Sequence, residues 1–277
     1  MGAAVCELCP HHCRLGPGQI GRCRARINRD DAVVCDNYGV VTALALDPIE
    51  KKPLYHFHPG SRILSAGSFG CNLNCPFCQN SQISMVGRSA IQAGAPMRAE
   101  RLVEAALAER ERGNIGLAYT YNEPLVGYEF VLDCAKCASE AGLQNVLVTN
   151  GYICREPLQK LLPYIQAMNI DLKGFRQGYY AKLGGDLETV KETIALASKV
   201  CHVEVTTLIV PGENDGDQEI AELAEWLSTV NPETPYHVSR FFPRWKMADR
   251  EPTPIKKIYQ LAKVARQSLR YVYEGNC

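Results

Sequence analysis

The stretch RILSAGSFGCNLNCPFCQN, residues 62–80, joins a short apolar run to three closely spaced cysteines. Residues 62–68 have the pattern of a strand, and the glycine, asparagine and proline that follow are typical of a loop. Cys71, Cys75 and Cys78 lie in that loop with the spacing C-x3-C-x2-C. Loops that leave the C-terminal ends of barrel strands carry the chemistry in folds of alternating strands and helices. The stretch therefore predicts a thiolate site at the mouth of such a barrel.

Predicted strands and helices alternate along the rest of the chain. The strands are predicted at 62–68, 115–121, 145–150, 167–173, 201–210 and 236–242, and the helices at 99–112, 125–142, 155–165, 187–200, 217–230 and 253–269. Six strand–helix units in a row indicate a parallel sheet with right-handed crossovers. No glycine-rich dinucleotide fingerprint is present in the sequence. We therefore predict an α/β fold, a partial (β/α)6 TIM-like barrel, rather than a doubly wound sheet.

The N-terminal segment has a second group of cysteines. CELCPHHCRLGPGQIGRCRAR, residues 6–26, has the spacing C-x2-C-x3-C-x9-C, which is formed by Cys6, Cys9, Cys13 and Cys23. Four thiols so close together predict a metal site, and a zinc ion or an auxiliary iron–sulfur cluster would satisfy the pattern equally. We predict two domains, with a cysteine-rich metal module and a short β segment at 1–60 and the barrel at 61–277. The charged run 24–31 is interpreted as a linker.

The composition excludes several classes of protein. Thirty Lys and Arg residues balance thirty Asp and Glu residues among 277, which argues against a nucleic-acid partner. The sequence shows neither an export signal nor an apolar run long enough to span a bilayer, so we expect a cytoplasmic protein without a membrane partner. The thirteen cysteines are odd in number and clustered, which favours metal binding over a disulfide framework. His56 with His58, and Cys134 with Cys137, are interpreted as structural residues.

Three thiolates cannot saturate the four irons of a cubane cluster, so one iron stays open to another ligand. The pattern C-x3-C-x-aromatic-C, with Phe77 as the aromatic residue, resembles the signature of the radical S-adenosylmethionine (SAM) superfamily. The resemblance implies a 4Fe–4S cluster on Cys71, Cys75 and Cys78, with SAM on the fourth iron. It further implies reductive cleavage of SAM to a 5′-deoxyadenosyl radical that removes hydrogen from a substrate. Phe77 is then expected near the adenine.

The same resemblance assigns cofactor contacts to later strand ends. TYNEPL, residues 120–125, occupies the place of a Gly-Gly-Glu-Pro-like motif, so Glu123 is expected to bind the SAM amino group, beside Asn122. The alternative is helix capping, with Asn122 as the N-cap residue. Further SAM or substrate contacts are expected at three strand ends: Asn150, Asp171 with Lys173, and Ser239 with Arg240. An ion pair at the barrel rim is the alternative for Asp171 and Lys173.

Several motifs together resemble the radical SAM component of the AmmeMemoRadiSam system, which is related to pyruvate-formate-lyase activases. They are C-x-L-C-P-H-x-C, PLYHFHPG, GCNLNCPFCQN, TYNEP, NIDLKGF and HVSRFFP. The resemblance implies an oxidoreductase or activase-like enzyme whose partners are Memo-like and AMMECR-like proteins and a ferredoxin or flavodoxin as electron donor. Members of that family continue past a Gly-Asn-x-Pro-like stretch, whereas this chain ends at Gly275-Asn276-Cys277.

Two other functions remain open from the sequence. The first is activation of a glycyl radical enzyme, in which hydrogen is taken from a glycine of a large partner protein. The second is a non-catalytic zinc-dependent scaffold. Iron and sulfide in the purified protein would favour an enzyme, whereas zinc alone would favour the scaffold.

Overall fold

The computed structural model describes residues 2–92 and 94–277. Its strands are β1 (Ala4–Val5), β2 (Arg14–Leu15), β3 (Arg26–Arg29), β4 (Ala32–Cys35), β5 (Ala43–Pro48), β6 (Arg62–Gly67), β7 (Asn114–Tyr119), β8 (Gln144–Thr149), β9 (Ala167–Asp171), β10 (His202–Ile209), β11 (Tyr236–Arg240) and β12 (Val272–Gly275). β1 pairs with β2 and β3 pairs with β4, each pair antiparallel, while the other eight strands form one sheet.

The helices lie between the strands of the main sheet. They are α1 (Ser81–Ser84), α2 (Ala99–Ala108), α3 (Tyr128–Glu140), α4 (Arg155–Leu161), α5 (Gln177–Leu183), α6 (Leu187–Ala197), α7 (Asp217–Val230) and α8 (Ile255–Ala265). Single 3₁₀ turns occur at Ile49–Lys51, Arg88–Ala90, Arg110–Arg112, Pro124–Gly127, Leu162–Tyr164 and Trp245–Met247. Within the described residues, none of these helices has the length and apolar character needed to cross a bilayer.

The main sheet confirms the predicted α/β class. Strands β6 to β12 are parallel and adjacent in chain order, and β5 pairs with β6 in the antiparallel direction. All six predicted strands are present, and β5 and β12 add one strand at each edge. β5 falls in the short β segment predicted within residues 1–60, whereas β12 was missed because it is short. The predicted domain boundary between residues 60 and 61 separates β5 from β6, which are hydrogen-bonded neighbours in the sheet.

The N-terminal segment folds as two small hairpins. The run 24–31, interpreted from sequence as a linker, instead contains β3, so that interpretation was wrong. Asp30 and Asp31 form the two-residue turn between β3 and β4, with φ of 53° and 61°. Two successive left-handed residues are what a tight hairpin turn requires, and Asp tolerates that conformation better than most residues. The charges mark a turn rather than a flexible connection.

Apolar side chains of the helices and the sheet form one large core. Cys134 is fully buried in it, and Cys137 packs against it, as predicted for two helix-packing residues. The fold thus holds the C-terminal strand ends and their loops at one end of a rigid parallel sheet.

A buried carboxylate lies at the opposite end of the sheet. Glu204 in β10 accepts hydrogen bonds from His202 Nε2 at 3.0 Å, from His237 Nε2 at 2.6 Å and from the backbone N–H of His56 at 2.7 Å. Burial alone would raise the pKa of Glu204, but these donors lower it to about 2. The His56 ring lies 2.6 Å from the Tyr273 hydroxyl. His56 therefore belongs to a structural network, as predicted.

Candidate active site

The cysteine loop borders a cavity at the C-terminal ends of the strands. The cavity has a volume of about 390 Å³, within the size range of small-molecule sites. Its lining includes the three loop cysteines and most of the predicted cofactor contacts: Cys71, Cys75, Cys78, Phe77, Asn122, Glu123, Asn150, Asp171, Lys173 and Ser239. Phe77 is buried, with 3% of its surface exposed. The structure therefore brings together residues that are separated by more than 160 positions in the chain.

Backbone hydrogen bonds fasten the cysteine loop to two other segments. The Cys71 N–H donates to the Cys23 carbonyl at 3.1 Å, and the Asn74 N–H donates to the Leu183 carbonyl at 2.8 Å. Gly70 has a φ of +90°, and a Cβ there would lie 2.6 Å from the Cys23 carbonyl oxygen. Only glycine allows both this conformation and this close approach. The loop is therefore held in place by the N-terminal hairpins as well as by the barrel.

The three thiols lie beside charged groups, and Cys75 is buried whereas Cys71 and Cys78 are partly buried. The sulfur of Cys71 lies 3.4 Å from the Leu73 N–H and 3.7 Å from the Asn150 amide nitrogen, so two donors point at it. Burial raises the pKa of Cys71 well above its usual value, and the Glu123 carboxylate raises it further. Burial also raises the pKa of Cys75 to about 11, although the Lys173 ammonium opposes the rise. Thiols in such a site bind as thiolates when a metal displaces the proton.

Glu123 connects the ends of two strands. One carboxylate oxygen accepts from the Leu125 N–H at 3.0 Å and the Thr149 hydroxyl at 2.7 Å, and the other accepts from the Asn150 N–H at 2.7 Å. Burial raises the pKa of Glu123 to about 7, while these donors act in the opposite direction. A carboxylate so placed at the cavity wall is suited to receive an ammonium group.

Glu123 has the helix-capping role that the sequence suggested for Asn122. Glu123, not Asn122, is the N-cap residue of the 3₁₀ turn Pro124–Gly127, because its side chain accepts from the Leu125 N–H. Asn122 instead accepts from the Ser68 N–H at 2.9 Å and donates to the Gly70 carbonyl at 3.1 Å. Its amide groups are therefore engaged in holding the cysteine loop against the end of β7.

Asp171 and Lys173 form an ion pair at the cavity. The Lys173 ammonium donates to the Asp171 carboxylate at 2.7 Å, and the Tyr180 hydroxyl accepts from the Lys173 N–H at 2.9 Å. Burial opposes the charge on Lys173, but Asp171 outweighs it, so the pKa of Lys173 lies above its usual range. The pair presents both signs of charge to a ligand in the cavity.

Of the two residues predicted on β11, the structure places only Ser239 at the cavity. Ser239 accepts from the Asn276 amide at 2.9 Å, and both residues line the cavity. Arg240 is not among the lining residues, because neighbouring side chains on a strand point to opposite faces. Its guanidinium donates to the Thr253 carbonyl at 2.7 Å and lies over the Phe242 ring at 4.7 Å. The expected cofactor contact by Arg240 does not fit this geometry.

Sequence reasoning missed a polar group on the β5 side of the cavity. Lys52 has only 3% of its side chain exposed, and its ammonium lies 2.8 Å from Asp47 and 4.7 Å from the centre of the Tyr121 ring. The Tyr121 hydroxyl donates to the same Asp47 carboxylate at 2.7 Å. Lys52 and Tyr121 donate to Asp47 and lower its pKa to about 2 against the effect of burial. No spacing motif links these residues, so only the fold could reveal them.

Tyr121 adopts a backbone conformation that is unusual for its type, with a φ of +72°. Its ring also lies so close to Gly67 that a Cβ on Gly67 would come within 2.8 Å of it. Left-handed backbone in a bulky residue is strained and tends to occur at functional sites. Lys52 and Tyr121, which both contact Asp47, therefore form a second wall of the cavity, and the strain lies in the Tyr121 backbone.

Known proteins with similar sequences support a functional assignment for this cavity. The profile of the radical SAM superfamily matches residues 67–227, which is more than half of the chain. An uncharacterized protein of Methanocaldococcus jannaschii is 43% identical over 98% of this chain and 80% of its own length. The pyruvate formate-lyase 1-activating enzyme of Escherichia coli is 26% identical over 61% of this chain and 69% of its own length.

A solved structure shows the same fold. The crystal structure of a radical SAM methyltransferase from Sphaerobacter thermophilus covers 79% of this chain with a TM-score of 0.60 at 15% identity, and 67% of that chain is matched. Enzymes of the superfamily use a 4Fe–4S cluster and SAM, and the matched residues include the whole C-x3-C-x2-C loop. The chain is an enzyme that belongs to the radical SAM superfamily and is related to the pyruvate formate-lyase activating enzymes.

Proposed function

We propose that Cys71, Cys75 and Cys78 bind a 4Fe–4S cluster and that SAM occupies the adjoining cavity. The observation that carries this proposal is the convergence of the three thiols with Glu123 on one cavity of about 390 Å³. The residues fit such a group, because the three thiols line one cavity and two N–H donors face the Cys71 sulfur. Three thiolates also leave one iron free for SAM.

The residues around the cavity have distinct tasks in this proposal. Glu123 binds the SAM amino group, and Phe77 packs near the adenine. Asp171 and Lys173 supply paired charges for the polar ends of the ligand, while Ser239 contributes a hydroxyl on the far side. Asn122 and Asn150 position the cysteine loop through the contacts described above. Phe77, Glu123 and Asn150 are buried, so this part of the wall shields a bound ligand from solvent.

The bound cluster would supply one electron that cleaves SAM to methionine and a 5′-deoxyadenosyl radical, which takes a hydrogen atom from the substrate. The chain itself contributes binding, orientation and exclusion of solvent. The electron comes from a low-potential protein donor such as a ferredoxin or flavodoxin. Iron–sulfur chemistry on free thiols requires a reducing compartment, so we propose a cytoplasmic location.

The specific system is proposed from the combination of sequence motifs. We assign the chain to the AmmeMemoRadiSam system, with Memo-like and AMMECR-like proteins as partners. The N-terminal cysteine module and the motifs PLYHFHPG and HVSRFFP support this choice over a typical activase. The substrate is to be sought by adding those partners to the assay.

Activation of a glycyl radical enzyme is the second candidate. It is favoured by the similarity to the Escherichia coli activating enzyme and by the open sheet, in which β5 and β12 lie at opposite edges. An open sheet leaves the cavity accessible from one side to a protein loop. The scaffold hypothesis is not retained, because the superfamily consists of enzymes.

The decisive experiment is reductive cleavage of SAM by the anaerobically reconstituted protein. Wild-type protein with iron, sulfide and dithionite is expected to release 5′-deoxyadenosine, and Cys75→Ala is expected to release none above background. Cys134→Ala is the matched control, since that thiol is fully buried in α3, away from the cavity, and should keep its activity. Cleavage by Cys75→Ala at the wild-type rate would refute the cluster assignment.

The same assay separates the two candidate functions. Partner-dependent release of 5′-deoxyadenosine with Memo-like or AMMECR-like protein supports the leading proposal. A glycyl radical signal at g near 2.0 on a co-incubated glycyl radical enzyme, detected by electron paramagnetic resonance, supports the activase instead.

A further inference from the structure

We propose that Cys6, Cys9, Cys13 and Cys23 bind a second iron–sulfur cluster, which packs against the back of the catalytic cysteine loop. The site lies in the N-terminal hairpins, apart from the cavity. The spacing of these cysteines also admits a zinc ion, and zinc binding is the outcome of the test that decides against the cluster. The proposal does not depend on the catalytic assignment.

The hairpin β1–β2 brings the first three thiols together. β1 and β2 pair with Ala4 opposite Leu15, and the pairing continues beyond the strands, where the Cys6 N–H donates to the Cys13 carbonyl at 3.0 Å. Cys9 lies in the turn between them, and its carbonyl accepts from the His12 N–H at 3.1 Å. Cys6 and Cys13 are thus direct neighbours across the hairpin, with Cys9 at its tip.

Cys23 reaches the same place from the following loop. A Cβ on Gly21, two residues before Cys23, would lie 3.8 Å from the Leu15 side chain of β2, so this loop packs against the hairpin. Cys6, Cys9 and Cys23 are buried free thiols, and Cys13 is partly buried. Four unpaired thiols from one short segment therefore share one neighbourhood.

This segment has little else to stabilise it. Within residues 2–25 the structure has two strands of two residues each, and the buried aliphatic side chains are Leu8, Leu15 and Ala25. Segments with so small a core usually gain their folding free energy from disulfides or metals. Since all four thiols are free, a metal site accounts for their burial.

Four cysteine thiolates satisfy a zinc ion and an iron–sulfur cluster alike. The cluster is the choice proposed here because the chain belongs to the radical SAM superfamily, whose members are iron–sulfur enzymes. The metal content of the protein therefore decides between the two.

The two cysteine groups are joined through their backbones. The Cys23 carbonyl accepts from the Cys71 N–H at 3.1 Å, and the His11 ring nitrogen lies 2.8 Å from the Asn72 carbonyl oxygen. The Asn72 side chain in turn accepts a 2.9 Å hydrogen bond from the side-chain amide of Asn150, and Asn150 lines the cavity. A group bound by the N-terminal thiols would thus order the segment on which the catalytic loop rests.

The test uses full-length protein that lacks the catalytic thiols. After anaerobic reconstitution, a variant with Cys71→Ala, Cys75→Ala and Cys78→Ala is expected to retain about two or about four irons per chain, with matching sulfide, since four cysteines hold either a [2Fe–2S] or a [4Fe–4S] cluster. Adding Cys6→Ala and Cys23→Ala should remove that iron. Adding Cys154→Ala instead is the matched control: its thiol lies 3.9 Å from the His12 ring, beside the module, but outside the four-cysteine pattern.

The same variants also give the results that would contradict the proposed N-terminal cluster. Loss of all iron and sulfide from the triple variant, or retention of about one zinc in its place, overturns the proposal. Wild-type protein gives a second measurement that needs no substitution: two clusters in its Mössbauer spectrum support the proposal, and a single one refutes it. If wild-type protein forms the N-terminal cluster yet releases no 5′-deoxyadenosine, the proposed function fails while this proposal stands.

Discussion

The Glu123 carboxylate accepts a 2.7 Å hydrogen bond from the backbone N–H of Asn150, and this contact ties the end of β7 to the end of β8 beneath the cysteine loop. Asn150 at the same time directs its amide to Asn72 in the loop and toward the Cys71 sulfur. The residue proposed to bind the SAM amino group is therefore also part of the support of the proposed cluster. Its two roles can be separated by experiment.

Replacing the Glu123 carboxylate should weaken SAM binding more than cluster retention. Glu123→Gln removes the negative charge but keeps the size of the side chain, and a hydrogen bond to a charged group is worth about 1.5–3 kcal/mol. We expect SAM affinity to fall roughly tenfold to hundredfold, measured by anaerobic equilibrium dialysis, with iron content near that of wild type. Glu140→Gln, on the exposed end of α3, is the control. Wild-type affinity in Glu123→Gln would rule out the proposed contact.

Gly70→Ala should destabilise the folded protein more than Gly113→Ala, although both glycines have a positive φ. Gly70→Ala adds a Cβ that would lie 2.6 Å from the Cys23 carbonyl, in addition to the left-handed strain of about 1–2 kcal/mol. Gly113→Ala has nearly the same φ, +86°, but nothing within 4 Å of the added Cβ. We expect Gly70→Ala to lower the free energy of unfolding by about 2–5 kcal/mol and Gly113→Ala by about 1–2 kcal/mol, measured by urea denaturation. Equal losses would show that the contact with Cys23 is unimportant.

Lys52 should matter for stability, whereas its neighbour Lys51 should not. Lys52→Met leaves the Asp47 carboxylate without its buried partner, so the pKa of Asp47 should rise from about 2 and the free energy of unfolding should fall by about 1–3 kcal/mol. Lys51 is 68% exposed and 3.4 Å from the same carboxylate, so Lys51→Met should change stability by less than about 0.5 kcal/mol. Thermal denaturation at neutral pH compares the two. The prediction fails if Lys52→Met is as stable as Lys51→Met.

Glu204 should stabilise the end of the sheet remote from the cavity in a pH-dependent way. Its pKa is depressed from 4.5 to about 2 in the folded protein, so its contribution is complete above about pH 4.5 and is lost as the pH falls toward 2. Glu204→Gln should lower the free energy of unfolding at pH 7 by about 2–4 kcal/mol. Its acid-unfolding midpoint should lie at higher pH than that of wild type.

The control for Glu204 is a glutamate without buried partners. Glu225→Gln lies on the exposed face of α7 and should leave both the stability at pH 7 and the acid midpoint close to those of wild type. Circular dichroism during acid titration measures all three proteins. A midpoint for Glu204→Gln that equals the midpoint of Glu225→Gln would contradict the role of the histidine–glutamate network.

Local sequence patterns were sufficient to predict the strands and helices of the barrel. Each predicted strand of β6 to β11 is a short apolar run followed by an amphipathic helix, and the spacing of such units specifies a parallel sheet. The linker interpretation of 24–31 failed for a local reason, since the turn residues Asp30 and Asp31 were counted only as charges. β12 was not predicted, because it has four residues and its place in the sheet depends on pairing with β11.

The sequence alone determined the α/β class, the order of the parallel strands and the two groups of cysteines, because these follow from periodicity and spacing over a few residues. Only the tertiary structure decided which side chains meet at the cavity. It selected Ser239 over Arg240 through the register of β11, made Glu123 the N-cap residue and brought Asp47, Lys52 and Tyr121 together. It also placed Cys23 against Cys71. Such contacts join residues that are far apart in the chain, so they form only when the strands have paired and the helices have packed on the sheet.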